Sequence, residues 1–194
     1  VAPHIYQEAE IIELLAAARG LNPKDGLRPA TFETLFGLIA SAGLRVSEAL
    51  SLLDADVDLS DGTLMVRQTK FAKSGLLPLR PSTVEVLVHY RQLRSQQVQT
   101  TADTPFFVGT KGDRFGQLLG DRQVHRIFNE LRDQLGWVNR GAHGNPRIHD
   151  LRHSFAVRRL ILWHEQGIDV DQAMLTLSSY LGHAKISNTY WYLT

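Results

Sequence analysis

The sequence has 194 residues, of which 43% are hydrophobic and 21% charged, with a net charge of +1. Those values exclude a disordered chain and allow one ordinary domain whose core needs no staples. The absence of cysteine excludes disulfides, thiolate metal sites and cysteine nucleophiles, and it fits a reducing compartment. The spacing of Ile11, Ile12, Leu14, Leu15 and Ala18 predicts a first helix over Glu8 to Arg19, stopped by Gly20. A second helix is predicted from about Pro29 to Ala42, with Phe32, Leu35, Phe36 and Ile39 on one stripe and Gly43 as its breaker. A short third helix follows from Val46 to about Leu53.

The texture changes at Asp58. Asp61-Gly62 signals a turn, and Thr63 to Gln68 reads as a strand. Lys70 to Gly75 forms a polar tip, and Leu76 to Leu79 a return strand. Pro81-Ser82 opens a helix to about Val98. Thr100 to Pro105 reads as a loop, and the type of Phe106 to Val108 stays open. Further helices are expected over Asp121 to Leu135, His149 to Glu165, and Val170 to Leu181, the last ended by Gly182. The intervening Gly136 to Pro146 is loop-like, and a final short helix covers Ile186 to Tyr192. The expected architecture is α+β in one domain, mostly α-helical with a small antiparallel sheet. No apolar run approaches the roughly 18 residues of a membrane span.

Charge is unevenly placed. Glu48 to Asp61 holds five acids and no base, whereas Lys111 to Arg159 holds ten Lys or Arg against five acids, with four histidines besides. Such a block suits an anionic partner, although a solvated mixed surface reads equally well from charge alone. Four segments place ionisable groups beside structure breaks. Arg45 stands at a helix start, where N–H groups favour an anion, with Glu48 as its bland ion-pair partner. Lys70 and Lys73 sit on the hairpin tip, where charge also protects a sheet edge. His149 and Arg152 share a helix face and can meet one anion. His149 and His153 have zinc-ligand spacing, but the Glu of a metalloprotease motif is missing between them. His183 follows the last glycine stop, ahead of Tyr190 and Tyr192. A tyrosine with an ordinary pKa near 10 needs a cationic site to act as a nucleophile at neutral pH.

Taken together these groups are the parts needed to cut a phosphodiester. Planar guanidinium forks suit nonbridging oxygens and the charge that develops on phosphorus. A lysine can protonate a leaving alkoxide, a histidine can take a phenol proton, and a tyrosine can form a covalent ester with phosphorus.

The motifs Ala42-Gly43-Leu44-Arg45-Val46-Ser47-Glu48, Lys70 ahead of Leu77-Pro78-Leu79, His149-Asp150-Leu151-Arg152-His153-Ser154-Phe155-Ala156, and Leu181-Gly182-His183 with Tyr192 nine residues on resemble the tyrosine recombinases, or phage integrase family. The resemblance spans Arg45 to Tyr192. It implies the DNA breaking-rejoining fold and a metal-independent, ATP-independent DNA strand transferase without cofactor. It implies that Arg45 and Arg152 clamp phosphate, Lys70 is the general acid, His149 and His183 assist, and Tyr192 is the nucleophile. Lys73 rivals Lys70 and Tyr190 rivals Tyr192; the family's spacing to Pro78 favours Lys70, and its nine-residue step from His183 favours Tyr192.

The same resemblance makes residues 1–194 an isolated catalytic domain. The chain starts at Val1 without Met and ends at Thr194, so a preceding core-binding domain and a segment beyond the nucleophile are both expected to be missing. Weak DNA binding by this piece is expected in turn. The implied partner is a double-stranded DNA recombination site, acted on by a synaptic tetramer of full-length protein, with no membrane role. The implied location is cytoplasmic and nucleoid-associated. Arg122, Arg126 and Arg147, with Lys73, are candidate DNA contacts in the basic stretch and the hairpin tip. Three other readings compete: a DNA-binding module without catalysis, a type IB topoisomerase, and a zinc hydrolase built on His149, His153 and His183.

Overall fold

The structure is a computed structural model, and it describes residues 2–24, 26–67 and 74–181. A strap of residues 2–7 leads into helix α1, Glu8–Arg19. Glu10 reaches back to accept a 2.7 Å hydrogen bond from the Gln7 N–H, which satisfies an open donor at the helix start. Helix α2, Leu27–Ala42, buries residues on nearly every side, among them Phe32, Leu35, Phe36 and Ile39. It therefore runs through the centre, packed against α1 and three later helices. Its start lies two residues before the expected Pro29, because Pro fits the first turn, where its missing N–H costs nothing. Gly43 ends it with φ +68°, as the sequence predicts.

Helix α3 is short, Val46–Leu50, and stops before the expected Leu53. A single 3-10 turn, Asp54–Asp56, follows because the Asp56 carboxylate accepts the Leu53 N–H at 3.0 Å. The sheet has three antiparallel strands in the order β1-β2-β3. They are β1, Val57–Asp58, β2, Thr63–Arg67, and β3, Ser74–Pro78. The pairing Leu64↔Leu77 faces the core, while Met65↔Leu76 faces outward. The two-residue β1 carries no alternation of its own and was not legible beforehand. Gln68 and most of the expected hairpin tip lie outside the described residues.

Helix α4, Pro81–Ser95, ends before the expected Val98. Its Arg94 is fully buried and donates to the Phe106 carbonyl at 2.9 Å, to Pro105 and to Asp54. That arginine anchors Phe106, Phe107 and Val108, all fully buried, which belong to no strand and form only isolated bridges nearby. Helix α5, Asp121–Leu135, buries Val124, Ile127, Phe128 and Leu131 and turns its polar face outward. Helix α6, His149–Glu165, buries every residue from Asp150 to Ala156. Helix α7, Val170–Tyr180, is capped by Asp169, which accepts from Asp171 and Gln172. The boundaries expected for α1, α5 and α6 match. The main core fills the space around α2, and a second cluster centred on Phe155, Met174 and Leu177 joins α6 to α7. The helix expected over Ile186 to Tyr192 lies outside the described residues. Among the described residues no helix is long and apolar enough to cross a membrane.

Candidate active site

The site forms where three breaks meet: the end of α2, the start of α3 and the buried first turns of α6. Gly43 turns the chain so that Arg45 occupies the position before α3. Glu48, three residues on, accepts the Arg45 N–H at 2.8 Å and also pairs with the Arg45 guanidinium. The ion pair that the sequence offered as a bland reading thus exists, and Glu48 joins it to Arg152. The Arg152 Nη1 stands 3.4 Å from the other Glu48 oxygen, although the two residues are 104 positions apart.

Arg152 is 3% exposed. Burying a guanidinium is costly unless it is paired and bonded. Here Nη1 donates to the Gly43 carbonyl at 2.6 Å and Nη2 to the Leu181 carbonyl at 2.6 Å. Those carbonyls, with Glu48, fix the plane of the fork. Arg45 is more open, with 37% of its side chain exposed. Arg152 and the Glu48 that pairs with Arg45 line a cleft of about 220 Å³, together with Leu44, Val66, Leu77 and Tyr180. The Tyr180 hydroxyl donates to the Ala42 carbonyl at 3.0 Å, and burial pushes its pKa up to about 12.

His149 opens α6 one turn before Arg152. It keeps an exposed edge. Packing around its ring lowers its pKa below the ordinary value, and the charges of Arg152 and Arg147 act the same way against Asp150. His153 meets it edge to face at 4.7 Å between centroids. Burial, and then the neighbouring His149, lower the His153 pKa to about 4. Both rings are therefore neutral at pH 7, a state in which an imidazole can accept a proton. Among the described residues no group of three His, Asp or Glu side chains is arranged to hold a metal ion.

The structure thus brings Arg45, His149 and Arg152 into one region. Lys70, Lys73, His183, Tyr190 and Tyr192 lie outside the described residues. Arg122 and Arg126 lie exposed on α5, and Arg126 approaches Glu130 at 4.0 Å. Arg147 differs from them: its guanidinium pairs with the fully buried Asp150 at 2.7 Å, and its N–H donates to the same carboxylate at 2.9 Å. Sequence reasoning missed Asp150 in this role, although its three-residue spacing from Arg147 was the available signal. It also missed the carbonyls of Gly43 and Leu181, which no side-chain pattern reveals.

A model described as the phage integrase family matches residues 6–194. A protein of Sinorhizobium fredii named as an integrase/recombinase, y4rB, is 41% identical, covering 99% of this chain and 61% of its own length. The tyrosine recombinase XerC of Thermodesulfovibrio yellowstonii is 32% identical over 82% of this chain and 48% of its own. The chain thus spans about three fifths or less of the curated relatives it matches. Among solved structures, the fold matches the XerA recombinase with a TM-score of 0.72 at 24% identity, over all of this chain and 59% of that one. It matches the XerH site-specific recombinase, bound to its difH substrate, with a TM-score of 0.74 at 21% identity, over all of this chain and 51% of that one.

Proposed function

The chain belongs to the phage integrase family, and from that premise we propose that it is the catalytic domain of a site-specific DNA recombinase. The observation that carries the proposal is the meeting of Arg45 and Arg152, from motifs more than 100 residues apart, on the one carboxylate of Glu48. A buried, carbonyl-locked arginine beside a half-exposed one suits a doubly charged, planar-fork task such as holding a phosphodiester.

In this reading Arg45 and Arg152 hold the nonbridging oxygens of the scissile phosphate and offset the charge that develops there. Tyr192 gives its phenol proton to a histidine as its oxygen attacks phosphorus, and His183 contacts the phosphate and the nucleophile. The phosphorus–oxygen bond to the 5′ side breaks, and Lys70 gives that oxygen its proton. The products are a 3′-phosphotyrosine and a free 5′-hydroxyl. A 5′-hydroxyl from a second strand then attacks the phosphotyrosine and releases Tyr192. One ester is exchanged for another in each step, so no ATP is needed, and the two guanidiniums supply the positive charge that a metal would otherwise bring. His149, neutral at pH 7, is suited to hold a phosphate oxygen or take a proton. The partner is a double-stranded recombination site in the nucleoid, and the full protein acts as a tetramer on two such sites.

The test is trapping on a nicked duplex that carries the protein's recombination site, with EDTA present. The expected result is a protein–DNA adduct that survives denaturation and is lost in Tyr192→Phe. An intact protein that binds the duplex without forming an adduct would instead be a DNA-binding module.

A further inference from the structure

Tyr6 sits on the strap that precedes α1 and is 1% exposed. Each of its hydrogen-bonding groups is engaged with α6 or the residues leading into it. Its N–H donates to Ser154 Oγ at 2.8 Å. Its hydroxyl donates to the Arg147 carbonyl at 3.0 Å. Its carbonyl accepts from Arg158 Nη2 at 2.8 Å. These partners lie 141 to 152 positions away in sequence and bracket the turn that carries His149 and Arg152.

Two of them belong to a closed circuit. The Arg147 N–H and guanidinium both bond to the Asp150 carboxylate, and Ser154 Oγ donates to the Asp150 carbonyl at 2.8 Å. Tyr6 spans this circuit from Arg147 at one end to Ser154 at the other. The strap is itself fastened: the Tyr6 ring meets His4 and Trp137 edge-on, and the Arg140 N–H donates to His4 Nδ1 at 3.1 Å.

We propose that Tyr6 is a positioning residue for the DNA-cleavage site, seating the first turn of α6, and with it His149 and Arg152, through Arg147 and Ser154; this rests on the recombinase reading given above. Nothing in the motifs announces Tyr6, because it acts from the far end of the chain.

The test compares Tyr6→Phe with Tyr90→Phe in the intact protein. Tyr6→Phe keeps the ring and removes only the bond to Arg147. Tyr90 is equally buried, but its contacts are Thr31, Phe106 and Phe107 on other elements, so it reports a merely structural loss. The expected result for Tyr6→Phe is duplex affinity within about twofold, with single-turnover cleavage slowed roughly tenfold or more, since small misplacements of catalytic groups are costly. Tyr90→Phe should cleave at the wild-type rate. Histidine proton NMR gives a readout independent of cleavage. The groups that act on His149 are Arg152, Arg147, Asp150 and Arg45, with His153 against its ring. Displacing Arg147 and its partner Asp150 alters the charges around His149, so the His149 midpoint should shift in Tyr6→Phe and hold in Tyr90→Phe. Wild-type cleavage together with an unmoved His149 midpoint in Tyr6→Phe would overturn the proposal, as would equal slowing by Tyr90→Phe. If the wild-type protein itself cleaves no DNA, the recombinase reading fails, and the His149 midpoint still decides whether Tyr6 seats α6.

Discussion

Arg152 donates through Nη1 to the carbonyl of Gly43 at 2.6 Å, across 109 positions of sequence. The carbonyl is available because α2 ends there, and the last carbonyls of a helix have no partner within it. The end of the central helix thus serves as the seat for a buried guanidinium, and the conformation of Gly43 sets where that seat lies.

Gly43 has two reasons to lack a side chain. Its φ is +68°, and a Cβ would come within 2.4 Å of Phe155 Cδ1. Gly43→Ala should therefore cost about 2–4 kcal/mol from backbone strain and overpacking together. Urea denaturation measures it. Adding Phe155→Leu should recover part of the loss, because it relieves the contact and leaves the backbone strain. Full recovery would mean that the positive φ costs nothing here.

Glu48 is 9% exposed and holds both arginines. Removing one partner of a buried pair typically costs about 3–5 kcal/mol, so Glu48→Ala should be strongly destabilising. Glu48→Gln keeps the shape and one acceptor and should cost less, about 1–3 kcal/mol. On DNA the two effects separate. Loss of a negative charge beside the phosphate should leave duplex affinity equal or tighter, while cleavage slows at least roughly tenfold as the guanidinium forks lose their common anchor. Parallel measurement of the dissociation constant and the single-turnover rate checks the split.

The buried His153 makes stability depend on pH. Its folded pKa of about 4 lies below the ordinary histidine value, so the unfolded chain takes up a proton first as pH falls. The contribution is fully present above about pH 6.5, is lost progressively toward pH 4, and amounts to about 3 kcal/mol at most. Denaturation midpoints at pH 7.5 and pH 5 should differ in the wild type, and His153→Phe should flatten that difference. An equal slope in the variant would assign the acid sensitivity to other groups.

The sequence was most legible where one segment decides its own structure. Glu8–Arg19, Asp121–Leu135 and His149–Glu165 each carry enough apolar spacing and stop signals to set both ends. It was least legible where a distant side chain decides. The short α3 ends at a turn held by Asp56, and Phe106 to Val108 owe their path to Arg94 on another helix. The same division runs through the site. Arg45, His149 and Arg152 were readable from motif spacing, and they do converge. Tyr6 and the carbonyls of Gly43 and Leu181 were not, because backbone acceptors and long-range contacts leave no pattern in residue types.

The candidate DNA contacts divide by their partners. Arg122 and Arg126 stand exposed one turn apart on α5, where, among the described residues, Arg126 makes only a loose 4.0 Å approach to Glu130. Such a surface pair is worth little, so both guanidiniums remain open to phosphate. Arg147 is engaged with Asp150 and serves the fold of α6. Each phosphate contact contributes about 0.9 to the slope of log affinity against log salt. Arg122→Ala with Arg126→Ala should therefore reduce that slope by about 1.8 if both touch phosphate, with little change in stability. Arg147→Ala should show the reverse, a loss of stability from an unpaired buried Asp150 with a smaller change in slope. Duplex titrations at several salt concentrations, beside urea denaturation of the same variants, separate the two roles. An unchanged slope in the double variant would take this face of α5 off the DNA, whereas a steep loss of slope in Arg147→Ala would mean that the pair with Asp150 opens when DNA arrives.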